Sequence, residues 1–156
     1  DTVQRVNLKG TFLCSKAVAR EMIRRGQGGK IIIISSTAGK RGVARYAAYC
    51  TSKFGLIGFT QSLALELAPH RINVNAICPG LTATERVAYI AAGLASDGES
   101  ADEVHVGMLN QYASAVPLGR TAKSRDIADV AAFLASAQSD YLTGLSIPVA
   151  GGYQMH

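Results

Sequence analysis

Apolar positions along this chain change their period several times, and each change marks an element. From Thr2 to Arg25, Val3, Val6, Gly10, Leu13 and Ala17 recur along one stripe at helical spacing, which predicts one long helix. The glycine-rich stretch 26–29 ends it. Lys30-Ile-Ile-Ile-Ile-Ser35 follows, a β-branched run without polar alternation, as expected of a strand buried on both faces of a parallel sheet. A second helix is predicted from Ala47 to Leu67, with Leu56, Thr60, Leu63 and Leu67 on one face and Pro69-His70 closing it. Arg71 to Ile77 reads as a second strand, and Pro79-Gly80 as a turn. A shorter helix is predicted from Asp126 to Ser136, with Ile127, Val130, Ala131 and Leu134 at i, i+3, i+4 and i+7. Leu145 to Val149 is the last strand. Strands alternating with helices predict an α/β fold, a doubly wound parallel sheet with helices on both faces.

One segment breaks the rhythm. Residues 84–117 are rich in small side chains and hold Glu85, Asp97, Glu99, Asp102 and Glu103, five of the eleven acids. An insertion after the carboxyl end of a strand lies where ligands bind in such sheets, so it is expected to cover a site as a substrate loop. Elsewhere the 156 residues show no repeat or linker, and 48% hydrophobic against 17% charged residues describes one core-forming domain.

Composition excludes several function classes. The longest aliphatic run, Ile31 to Ile34, is far too short to span a membrane, so no membrane partner is expected. The net charge of +5 comes from scattered Lys and Arg, and with 6% aromatics and no Trp a nucleic-acid surface is not expected either. Cys14, Cys50 and Cys78 are widely spaced, and His70, His105 and His156 lack ligand spacing. The reading is therefore no metal and reduced thiols in a cytoplasmic protein, with Cys50 and Cys78 as small core residues. No targeting signal is visible at the start of the chain.

The chemistry-bearing stretch is Ser35-Ser36 followed by Tyr49-Cys-Thr-Ser-Lys53. Tyr49 and Lys53, four apart in a helix, leave the same face. A free tyrosine is a poor base at neutral pH, and a nearby ammonium stabilises its phenolate. The pair suits moving a proton on or off an alcohol oxygen. Ser36, at the end of the preceding strand, is placed to hydrogen-bond the same oxygen. No GxSxG elbow surrounds Ser35 or Ser36, which argues against a serine hydrolase.

With these residues in their context of strand end, Ser, loop and helix, the chain resembles the short-chain dehydrogenase/reductase family over essentially its whole length. Ser36 precedes Tyr49 by thirteen positions, as in that family. Val6-Asn7-Leu8-Lys9-Gly10, Pro79-Gly80 with Thr84, Pro117-Leu118-Gly119-Arg120, Asp126-Ile127-Ala128, Phe133-Leu134-Ala135-Ser136 and Tyr141-Leu142-Thr143-Gly144 match its other motifs. The resemblance implies Tyr49 as acid/base, Lys53 as its partner on the nicotinamide ribose, and Ser36 as the group positioning the substrate oxygen. It implies that Asn7 holds a water linking Lys53 to solvent. Pro79, Gly80, Thr82 and Thr84 would line the nicotinamide of NAD or NADP.

Two departures are visible. The final Val-Asp-Gly-Gly turn of the family carries Ala150 in place of Asp, and Thr82 stands where Ile or Val is common. The glycine-rich turn that holds a dinucleotide pyrophosphate has no counterpart here, nor has the acid that reads the ribose. The chain therefore reads as residues 1–156 of the C-terminal, catalytic portion of a single Rossmann-like domain. It is expected to bind no nicotinamide by itself, and to expose one edge of the Ile31–Ile34 strand.

The expected activity is NAD(P)-dependent interconversion of a secondary alcohol and a ketone. Ala38-Gly39-Lys40-Arg41-Gly42 and His70-Arg71-Ile72-Asn73-Val74-Asn75 look most like the branch acting on polyols and small hydroxyketones. Reduction of 3-oxoacyl chains on an acyl carrier protein is the alternative, for which Lys40, Arg41 and Arg45 would suit an acidic carrier. From another class, the rival is a non-catalytic fragment or assembly module. The resemblance also implies a homo-oligomer, a dimer or tetramer, in which Gly10, Ala17 and Gly55 let the two long helices approach their copies.

Overall fold

The computed structural model describes residues 1–95 and 99–156. Its three parallel strands are β1 (Gly29–Ile34), β2 (Ile72–Pro79) and β3 (Ser146–Val149), in the spatial order β1-β2-β3. Gly29 lies opposite Ile72, Ile34 opposite Ile77, and Ala76 opposite Ser146. The helices are α1 (Gly10–Arg25), α2 (Ala47–Leu67), α3 (Glu85–Leu94), α4 (Ala101–Ala115) and α5 (Ser124–Ala135).

β2 is the central strand and is buried almost throughout. Alternate side chains of a strand face opposite sides. Ile72, Val74 and Ala76, with Ile33, meet Ala19 of α1 and Leu56, Leu63, Ala64 and Leu67 of α2 in the main core. Each fully buried Leu or Ile contributes about 1.5–3 kcal/mol relative to exposure. The other side of the sheet takes α5, which packs against all three strands and buries Leu134.

On that second side β2 carries two asparagines. Asn75, only 2% exposed, donates through Nδ2 to the Leu142 carbonyl at 2.8 Å and accepts at Oδ1 from the Leu145 amide at 3.0 Å. Asn73 Nδ2 donates to the Asp140 and Leu142 carbonyls at 3.0 Å, and the Thr143 hydroxyl accepts from the Val74 amide. Polar side chains in a buried strand are tolerated because every bond they require is made. These bonds hold the turn that sets β3 in register.

The expected α2 appears with its stated bounds and its stated inward face, and Ala68–His70 closes it as a turn of 3₁₀ helix. The first helix departs from expectation. Gln4–Lys9 is a π-helical turn continuous with α1, and the inward residues are Leu8, Ser15, Ala19 and Met22. Val6 and Leu13 are 67% and 52% exposed. The π turn takes about five residues per hydrogen-bonded step instead of four, which shifts which residues face inward. Small Ser15 and Ala19 then let the helix sit close to the sheet.

β1 is not buried on both faces. Only Ile33 is fully buried and Ile34 is 47% exposed, since among the described residues β2 is its one strand neighbour. Gly55 does not face outward for another chain. A Cβ there would meet the Leu8 side chain at 3.1 Å, so its smallness serves the contact between α2 and the π turn of its own chain. The 84–117 segment forms α3 and α4, which pack on each other. Asp97 lies outside the described residues.

Candidate active site

The carboxyl ends of β1 and β2 and the first turns of α2 converge. Ser36 follows β1 and caps a 3₁₀ turn, Thr37–Gly39, its Oγ accepting from the Ala38 amide at 3.1 Å. That turn lies directly on the backbone of α2. A Cβ on Gly39 would stand 2.7 Å from the Lys53 carbonyl oxygen and from Ser35 Oγ, so only glycine fits. Ser35, buried, donates from Oγ to the Lys53 carbonyl at 2.9 Å. The strand end and the helix are thereby fixed to each other at Lys53.

Tyr49 and Lys53 emerge half-buried from the same face of α2. Lys53 Nζ donates to the Ile34 carbonyl at 3.0 Å and stands 5.6 Å from the centroid of the Tyr49 ring. Tyr46, exposed, meets Tyr49 edge-on, with centroids 6.4 Å apart. The π turn is fastened to the same region. Asn7 Nδ2 donates to Ser52 Oγ at 3.1 Å, Ser52 Oγ donates to the Tyr49 carbonyl at 2.7 Å, and Gln4 Nε2 donates to the Ala48 carbonyl at 2.8 Å. Asn7, Ser36, Tyr49 and Lys53 thus belong to one connected neighbourhood. Gln4, Ser35 and Ser52 join it without having been singled out by any motif.

Pro79 ends β2, and the chain turns through Gly80 and Leu81. A Cβ on Gly80 would meet Ala150 at 3.1 Å and the Tyr112 hydroxyl at 3.2 Å. Thr82 pairs with Ala122 as a short parallel bridge, its hydroxyl donating to the Gly80 carbonyl at 3.3 Å. Thr84 precedes α3 in extended backbone, exposed, with its hydroxyl unused for capping. An ammonium, a phenol and an open threonine hydroxyl beside a backbone turn form a donor set that fits a ribose and a carboxamide. Residues 79–84 thus run from the end of β2 to the start of α3.

Residues that sequence reasoning missed come from the far end of the chain. Tyr112 of α4 accepts at its hydroxyl from the Leu81 amide at 3.1 Å, and burial pushes its phenol above the usual range. Its ring lies 4.6 Å from that of Tyr153, which in turn carries the Arg41 guanidinium 4.2 Å above its centroid. Arg41 also donates to the Tyr153 hydroxyl. A cavity of about 310 Å³ borders Gly80, Tyr112 and Gly151; Ser36, Tyr49 and Lys53 do not line it, so it is a space behind the turn. Burial raises the Cys78 thiol above its ordinary value, which leaves it unreactive. Among the described residues, no group of three or more His, Cys, Asp or Glu is placed to hold a metal, and no helix is long and apolar enough to cross a membrane.

Comparison with known proteins agrees with this geometry. Residues 1–154 match the family described as enoyl-(acyl carrier protein) reductase. The chain is 44% identical over 151 residues to galactitol 2-dehydrogenase of Agrobacterium fabrum, covering 96% of this chain and 57% of that protein. The crystal structure of sorbitol-6-phosphate 2-dehydrogenase from Erwinia amylovora superposes with a TM-score of 0.87 at 37% identity, over 100% of this chain and 60% of that one. An NAD⁺-bound xylitol dehydrogenase matches with a TM-score of 0.79 at 39% identity, over 94% of this chain and 56% of the other. The chain thus spans a little under three fifths of the galactitol enzyme.

Proposed function

Because the chain belongs to the short-chain dehydrogenase/reductase family, we propose that it carries the proton-transfer machinery of an NAD(P)-dependent oxidoreductase that interconverts a secondary alcohol and its ketone. The observation that carries this reading is the convergence of Ser36, Tyr49 and Lys53 at one end of the sheet, with Lys53 Nζ 5.6 Å from the Tyr49 ring. Polyols and small hydroxyketones are the favoured substrate class, supported by the galactitol, sorbitol-phosphate and xylitol dehydrogenases it resembles.

In the reductive direction the Tyr49 hydroxyl gives its proton to the carbonyl oxygen; in the oxidative direction it takes the proton back. Ser36 hydrogen-bonds that oxygen and orients it, and Lys53 sets its ammonium beside the Tyr49 ring, where the ribose would lie. Asn7, bonded to Ser52 beside the helix, holds the water through which Lys53 exchanges protons with solvent. Pro79, Gly80, Thr82 and Thr84 bind and orient the nicotinamide. Bound there, NAD or NADP supplies or accepts the hydride. The exposed Phe12, Leu13, Phe54 and Leu65 on the two long helices support assembly into a homo-oligomer.

The test is Tyr49→Phe in the protein expressed from its complete reading frame. Turnover falls about 10²- to 10⁴-fold, while cofactor affinity, read by fluorescence titration, stays within a few-fold. A Phe variant with most of its turnover overturns the assignment.

A further inference from the structure

We propose that Arg41, seated on Tyr153, binds the anionic end, a carboxylate or a phosphate monoester, of a small substrate whose reacting oxygen lies at Ser36 and Tyr49. The inference deepens the reading above and rests on it.

Five ion pairs form among the described residues, through Arg24, Arg25, Lys30, Arg120 and Arg125, and Arg41 takes part in none of them. Its partner is a neutral phenol. The guanidinium carbon lies 4.2 Å from the centroid of the Tyr153 ring, and one NH₂ group donates to the Tyr153 hydroxyl. The other donors of its planar fork stay outward on an exposed side chain. A guanidinium fixed in this way loses little further freedom on meeting a carboxylate or phosphate, which it matches with two parallel hydrogen bonds.

The mounting is rigid and local to the reaction centre. Tyr153 stacks on Tyr112, whose hydroxyl accepts from the Leu81 amide in the turn after β2. The Arg41 amide donates to the Thr37 carbonyl at 3.2 Å, in the turn that Ser36 caps. The backbone of Arg41 therefore stays within about one helical turn of the residue after Ser36. That separation suits a substrate with its reacting carbon and its charge several carbons apart. Among the described residues, none of the ion pairs engages Arg41. Asp126 and Asp129, on the cavity that Tyr112 borders, are already held by Arg120 and Arg125. Lys40 and Arg45, on the same loop, add positive field at the mouth.

The experiment compares matched substrates with the protein from its complete reading frame: a neutral ketohexose, its terminal phosphate ester, and the corresponding sugar acid. Wild type is expected to favour at least one charged member in kcat/KM. Arg41→Gln is expected to lower kcat/KM for that member about 10- to 100-fold, leaving the neutral ketose within about 3-fold. The phosphate and carboxylate arms tell the two anions apart. Equal loss on charged and neutral members, no charge preference, or activity confined to acyl-carrier thioesters overturns the inference. Calorimetric titration with the phosphate ester and the sugar acid decides it independently of turnover. Binding lost in Arg41→Gln supports the subsite even if the proposed reaction fails, and binding that is absent or unchanged refutes it.

Discussion

α2 and α4 are held by different physics. α2 buries Cys50, Ser52, Leu56, Thr60, Leu63, Ala64 and Leu67 against the sheet and the loop after Ser36. α4 has no fully buried residue; it packs on α3, and its side chain with a named bond into the frame is Tyr112. Proton transfer needs atoms fixed to fractions of an ångström, and the groups proposed for it are mounted on the core. Selection of a substrate tolerates, and benefits from, an element tied down at few points.

Core truncation gives the largest expected contrast. Leu56→Ala, at 1% exposure, is expected to cost about 2–5 kcal/mol of unfolding free energy. Leu94→Ala at the end of α3, 61% exposed, is expected to cost no more than about 0.5 kcal/mol. Denaturant titration of both variants checks this, and similar losses would mean the two regions share one core. Tyr112→Phe comes next. Removing the acceptor of the Leu81 amide is expected to cost about 1–3 kcal/mol locally. Hydrogen exchange should quicken at Leu81 and along α4 while α2 keeps its protection; matched acceleration in α2 would erase the contrast.

The smallest effect is electrostatic and lies at the border of the two regions. Arg120, at 2.7 Å, and the Lys123 amide hold the Asp126 carboxyl well below its ordinary value of 3.8. A carboxyl lowered on folding stabilises the protein fully above its unfolded value and loses that contribution as pH falls toward the folded one. Asp126→Asn should therefore lower Tm near neutrality by a degree or so. The gap from wild type should stay constant down to about pH 5 and close progressively as pH falls through and below the ordinary value of 3.8. Thermal melts across that range measure it, and a gap that widens with acid would contradict the pairing.

What the sequence disclosed depended on whether a signal was local. α2 was legible to the residue because Leu56, Thr60, Leu63 and Leu67 fall on one face and their partners confirm it. Val3, Val6 and Leu13 announced the helix but not its buried face, since an apolar stripe is buried only where something covers it. The register also depends on a π turn that no propensity announces. Tyr49, Lys53 and Ser36 were readable as a motif, whereas Tyr112 and Tyr153 meet Arg41 only through the fold, from positions far along the chain with no motif of their own. Asn73 and Asn75 read as strand residues; their service to the turn before β3 needed the register of that strand.

The pairing of β2 with β3 has a consequence for how such a protein can change. Ala76 and Ser146 are neighbours in the sheet, so the α3–α4 pair lies within a crossover closed by the β2–β3 pairing. Closure entropy grows only as the logarithm of loop length, about 0.6 kcal/mol for each doubling. Insertions in the connection between α3 and α4, away from the buried Val87, Ala91 and Val116 and from the Tyr112 bond, therefore shift folding free energy little and leave the mounting of Ser36, Tyr49 and Lys53 untouched. New substrates can be explored by insertion in one crossover, at almost no risk to the chemistry it covers.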